Sequence, residues 1–196
     1  MRIVEDGGPG VPTGCSLALV TSAPGRLQAA GRRPAACVPD CPSPRGSRLL
    51  TRRLRRACPV APPGLCERLG CAPCATSTDL GSCLGTAAAG IVTEVLHADA
   101  QGDDRCFQAA RRAAVRAAAR RLRAIARCAR SDGGACVSTA RASRVTGLAR
   151  ACRTPSAAAC TAFGCVPCAT AADLASCVGR ATVAPVDSLA RALLGG

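Results

Sequence analysis

Sixteen cysteines fall into two arrays of eight with nearly the same spacing, which limits the fold more than anything else in the chain. The first array is Cys15, Cys37, Cys41, Cys58, Cys66, Cys71, Cys74 and Cys83, and the second is Cys106, Cys128, Cys136, Cys152, Cys160, Cys165, Cys168 and Cys177. Steps between neighbours run 22, 4, 17, 8, 5, 3 and 9 in the first and 22, 8, 16, 8, 5, 3 and 9 in the second. Agreement over a whole half-chain predicts tandem units: a tail over 1–14, one repeat over 15–104 and another over 105–196. Units of about ninety residues bury a modest fraction of their surface and gain from covalent fastening.

Composition sharpens that need. The apolar fraction is 48%, but Ala and Cys dominate it, and Phe107 and Phe163 are the only aromatic residues. An even number of cysteines at about 8% of a chain marks a disulfide scaffold. Disulfides persist in oxidising compartments, so the expected location is secreted or periplasmic. The opening does not fit a secretory signal, because the apolar run Cys15–Val20 is too short and too late. No stretch approaches the roughly 18 apolar residues of a transmembrane segment.

The second unit reads more clearly. From Arg105 to Ala129 there is no Gly or Pro, and Ala, Arg and Leu favour a helix. At about 100° per residue, Phe107, Ala110, Ala114, Ala118, Leu122, Ile125 and Cys128 share one side. Arg105, Arg112, Arg116, Arg120, Arg123, Arg127 and Arg130 gather opposite. The sequence SDGG at 131–134 supplies a stop and a turn, and a second helix from Cys136 to Cys152 then completes a helical hairpin. If Cys128 pairs with Cys136 across the turn, Cys106 is left to pair with Cys152 or Cys160, and helix rise alone does not separate the two. The segment CTAFGCVPC at 160–168 reads as a turn-rich loop. Thr170 and Asp173 form a capping-box pattern that opens the next helix, as do Thr76 and Asp79 in the first unit. Pro185 should break that helix in the second unit only.

The first unit departs near its start. Pro24, Gly25, Gly31 and Pro34 lie where the second unit has its long helix, and ten of the fourteen prolines precede residue 64. This predicts an irregular, poorly ordered stretch over 15–45.

The spacing, the DLxSC phrase and the closing VDSLARALL at 186–194 resemble uncharacterised cysteine-rich tandem helical repeat proteins from GC-rich environmental bacteria of deltaproteobacterial type. The resemblance covers the second unit and the latter half of the first. It implies an exported, disulfide-bonded helical module and brings no activity or catalytic residue.

Cys66, Cys71, Cys74 and Cys83 partly match an iron–sulfur spacing or a zinc site, but each unit has one CxxC, and His97 is the single His. CAPC and CVPC sit before helix starts as redox motifs do, yet no strand precedes them. No nucleotide fingerprint or nucleophile–base pair stands out, and Asp79 and Asp173 read as caps. The net charge of +14 comes entirely from Arg on the positive side, as GC-rich coding also produces. The expectation is therefore mainly α: two tandem small disulfide-rich modules, each a helical hairpin, a Cys-rich loop and a further helix. It assigns no enzyme activity, cofactor or metal, and structural or binding work outside the cytoplasm. A thiol redox or cysteine-ligated metal protein is the alternative. The further alternative is polyanion or anionic-membrane binding through Arg112, Arg116, Arg120, Arg123 and Arg127.

Overall fold

The structure, a computed structural model, describes residues 14–31, 44–62, 64–71, 74–95, 104–131, 136–140, 145–166 and 168–195. Within them the chain is helical and contains no strand. In order, the helices are α1 (Gly14–Gly31), α2 (Pro44–Ala57), α3 (Leu65–Arg68), α4 (Ser77–Val95) and α5 (Arg105–Ser131). Then follow α6 (Cys136–Thr139), α7 (Ala157–Ala162), α8 (Ala171–Ala181) and α9 (Val183–Leu194). None of these is long and apolar enough to cross a membrane.

Helix α5 is the axis of the molecule, and its sequence explains why. Asp104 caps it, its Oδ1 accepting the Phe107 backbone N–H at 2.7 Å. That bond, with a second from the Ser156 side chain, holds the Asp104 carboxyl below its ordinary pKa. Alanine dominates the buried side, where Ala110, Ala114, Ala117, Ala118 and Ala119 are almost wholly covered. Small side chains let other helices approach closely. Gly31, the last residue of α1, lies so near Val115 that a Cβ there would collide with it.

Helix α1 corrects the expectation of an irregular stretch over 15–45. Residues 14–31 form one helix that packs along both α5 and α4, with Pro24 inside it. Proline in a helix interior costs about 3 kcal/mol. Against that, Leu19, Val20 and Leu27 are fully buried, and each such side chain contributes about 1.5–3 kcal/mol. Hydroxyl groups of the preceding turn bond back along the helix: Ser22 Oγ donates to the Ala18 carbonyl at 2.7 Å and Thr21 Oγ1 to the Leu17 carbonyl at 2.8 Å. Burial outweighs the local penalty. The rest of the expected irregular region, 32–43, lies outside the described residues.

A second correction concerns the expected helix from Cys136 to Cys152: among the described residues it is helical over Cys136–Thr139 and not over 145–152. Residues 145–152 run without regular structure, through Gly147 at φ 85°, to Cys152, and 141–144 lie outside the described residues. Length explains this. Cys106 and Cys128 sit near opposite ends of α5, about 33 Å apart along its axis. Sixteen helical steps from Cys136 would return only about 24 Å, whereas a looser chain spans up to about 3.3 Å per residue. In place of the expected hairpin, α5 is followed by the short α6 and an unwound stretch over 145–152. The CTAFGCVPC segment also begins in helix, since α7 includes Cys160 and Thr161.

The closing helices follow the sequence. Helix α4 is continuous, whereas Thr182 separates α8 from α9 and Pro185 falls in the first turn of α9, where a missing N–H is tolerated. Helix α9 packs on α1, α3 and α4 as well as on α5 and α8. One cluster of buried side chains therefore runs from Cys15 to Leu193 and draws on both halves.

Candidate functional site: the disulfide frame and the arginine face

Among the described residues, fourteen cysteines form seven disulfides and none is free. Cys15–Cys58, Cys66–Cys74 and Cys71–Cys83 hold the first half. Cys106–Cys152, Cys128–Cys136, Cys160–Cys168 and Cys165–Cys177 hold the second. The choice left open for Cys106 is resolved in favour of Cys152. Cys37 and Cys41 lie outside the described residues, as does His97.

The same local structure surrounds the equivalent cysteines. A short helix, α3 or α7, ends at Gly70 or Gly164, with φ of 71° and 61°. There the Cys71 and Cys165 N–H groups reach back to the Cys66 and Cys160 carbonyls, at 2.9 and 2.8 Å. A left-handed glycine with such a bond is a standard helix end. One cysteine past the turn then bridges to the following helix, Cys71 to Cys83 and Cys165 to Cys177. Neither CxPC motif closes on itself, because Cys74 and Cys168 bridge backwards to Cys66 and Cys160.

Both capping boxes form as their sequences suggest. The Asp173 N–H donates to Thr170 Oγ1 at 3.1 Å, while Asp173 Oδ2 accepts the Thr170 N–H at 2.9 Å. Thr76 and Asp79 repeat the arrangement at 3.2 and 2.9 Å. The threonine hydroxyl and then its N–H hold both carboxyls below their ordinary value of 3.8. A carboxyl whose pKa is lowered on folding stabilises above its unfolded pKa, and that contribution is lost as pH falls through the folded pKa. Amide exchange in the first turns of α4 and α8 should therefore speed up selectively below pH 3.8. In an Asp173→Asn variant the α8 response should vanish, and a response that persists there would dissociate it from the box.

Sequence reading missed one pair. Arg121 lies on the apolar side of α5, 5% exposed, with both ends of its guanidinium on the Asp187 carboxylate of α9. Nε reaches Oδ1 at 2.6 Å and Nη2 reaches Oδ2 at 2.7 Å, a two-point fork. The other N–H groups donate to the Ala140 and Val137 carbonyls, tying α6 and the residue after it to α5. The available signals were an arginine out of phase with the stripe and an acid among the apolar residues of α9.

The stripe itself is where the sequence places it. Arg105, Arg112, Arg116, Arg120, Arg123, Arg127 and Arg130 are all exposed along α5, and no residue of that helix is acidic. They occupy about 80° of its circumference over about 38 Å of length. Helix α2 carries a second group of exposed arginines, Arg52, Arg53, Arg55 and Arg56.

Concavities offer less chemistry. Where α1, α4 and α5 meet, an apolar gap of about 10 Å³ lined by Leu27, Val92 and Ala118 is too small for a ligand. A larger open hollow of about 540 Å³ lies over Cys177, between Val166 and Arg180. Its polar groups are already engaged, Asp173 in its cap and Arg180 Nη1 on Ser176 Oγ at 2.6 Å. No group of three or more His, Cys, Asp and Glu side chains with metal-binding geometry occurs among the described residues. No protein-family model, curated protein or solved structure matches the chain.

Proposed function

We propose that this chain is a non-enzymatic module of two tandem eight-cysteine units, held by disulfides and acting as a structural or binding element outside the reducing cytoplasm. The observation that carries this reading is the bridging order. In both arrays the first cysteine pairs with the fourth, the fifth with the seventh and the sixth with the eighth. Duplication of one disulfide-forming unit explains that agreement, and it assigns Cys37 to Cys41 by analogy with Cys128 and Cys136. The resemblance to exported cysteine-rich repeat proteins belongs to the same reading.

Paired thiols suit this composition. The many Ala side chains of the core gain little each from burial, so restriction of the unfolded chain adds to what the buried Leu, Val and Ile contribute. Such bridges persist only where thiols are not kept reduced. The competing reading needs thiolates at Cys66, Cys71, Cys74 and Cys83 to hold zinc or an iron–sulfur cluster. Those four side chains pair with one another instead, which favours the staple.

Intact mass of natively expressed protein, alkylated with and without prior reduction, tests the proposal. All sixteen cysteines should take up label only after reduction. Labelling before reduction, or zinc or iron in stoichiometric amount, would favour the thiolate reading.

A further inference from the structure

We propose that the exposed arginine row of α5 binds duplex nucleic acid along its phosphate backbone, without reading base sequence. This deepens the disulfide-module reading and rests on it for one thing, the rigidity with which α5 is held.

Shape comes first. The row is one side chain wide and about 38 Å long, so it presents a line of charge. A flat anionic surface is matched by a broad basic face, whereas a line matches a chain of charges. Successive arginines advance on average about 6 Å along the axis, and each strand of a duplex offers a phosphate every 3.4 Å or so. Flexible arginine arms can therefore reach roughly alternate phosphates. Guanidinium groups also suit phosphate oxygens, since their planar fork donates two parallel hydrogen bonds.

Energetics point the same way. Arg112 and Arg116 stand four residues apart, and Arg123 and Arg127 repeat that spacing. Like charges so placed repel by a few tenths of a kcal/mol per pair. No acid on α5 offsets them. The helix keeps its shape because its other side is buried against α1, α8 and α9, and because Cys106–Cys152 and Cys128–Cys136 fasten both ends. Phosphates would relieve the repulsion and release their own counterions.

What the row lacks defines the mode of binding. The only aromatic side chains, Phe107 and Phe163, are 5% and 3% exposed, so no platform exists for stacking unpaired bases. A paired duplex, whose backbone is continuous and whose bases need no partner, fits better than a single strand.

The test uses the oxidised full chain, with its bridges verified by mass, and fluorescence anisotropy on a labelled 20-base-pair DNA. Two unrelated sequences should bind within about twofold of each other. Log affinity should fall with log salt at a slope of about −4.5, about 0.9 for each of five arginines engaged. Replacing Arg112, Arg116, Arg123 and Arg127 with Gln, which favours helix and removes charge, should weaken binding at least about a hundredfold. The same four-charge change on α2, at Arg52, Arg53, Arg55 and Arg56, should alter it by less than about threefold.

Equal losses from the two variants would reduce the effect to net charge and overturn the proposal. So would unaltered binding by the α5 variant with native circular dichroism, or binding confined to vesicles rich in anionic lipid. Failure of the disulfide reading appears separately, as free thiols in the mass spectrum before any DNA is added.

Discussion

Replacing Asp187 with Ala is expected to destabilise the protein by about 3–5 kcal/mol, a large part of the total for a domain of this size. The loss does not come from the attraction alone. Arg121 is 5% exposed and cannot move its charge to water without opening the contact between α5 and α9. Once the carboxylate is gone, the guanidinium remains in a site built for a pair, with only the Val137 and Ala140 carbonyls to solvate it. Removing both charges should cost far less. An Arg121→Met and Asp187→Leu double variant keeps roughly the same volume and has no buried charge to strand. Urea unfolding of the two single variants and the double variant completes the cycle. If Asp187→Ala shifts stability by less than about 0.5 kcal/mol, the pair is not closed to water and its role in fixing α9 is wrong.

That pair also marks the limit of what the sequence discloses. Helix α5 is legible because its signal is local and redundant: no Gly or Pro interrupts residues 105–131, and arginine recurs at helical spacing. The caps at Thr76 and Thr170 are legible for the same reason, since each is complete within four residues. Arg121 is different. Its partner is 66 residues away, and only the packing of α9 on α5 brings them together.

Helix α1 failed to announce itself for a related reason. Pro24 is a local cost visible in the sequence, while burial of Leu19, Val20 and Leu27 is a tertiary gain that depends on where α4 and α5 lie. The unwound stretch over 145–152 inverts the case, because local propensity favoured helix while the distance to be covered exceeds the rise of a helix of that length. The arginine face was legible as an exposed stripe, since charge and period sufficed. What it meets is a question of shape and partner that no period encodes.

The largest covalent effect should come from the bridge that spans most chain. Cys106 and Cys152 enclose a separation of 46 residues, against 8 for Cys128 and Cys136. In the chain-entropy account, losing the first should cost about 4 kcal/mol and losing the second about 2.5. Cys106, Cys152 and Cys136 are buried and Cys128 is half-buried, so the voids left by Ala differ by part of one sulfur and loop length carries most of the comparison. Cys15 and Cys58, separated by 43, provide the internal control and should match the long bridge. The two long bridges also join the start of a long helix to the end of its return, which no short bridge does. Urea midpoints for the three Cys→Ala pair variants decide the matter. Equal costs for the Cys106/Cys152 and Cys128/Cys136 variants would place the stabilisation in native contacts around the sulfurs. A long-bridge variant weaker by about 1.5 kcal/mol, matched by Cys15/Cys58, would place it in the unfolded chain.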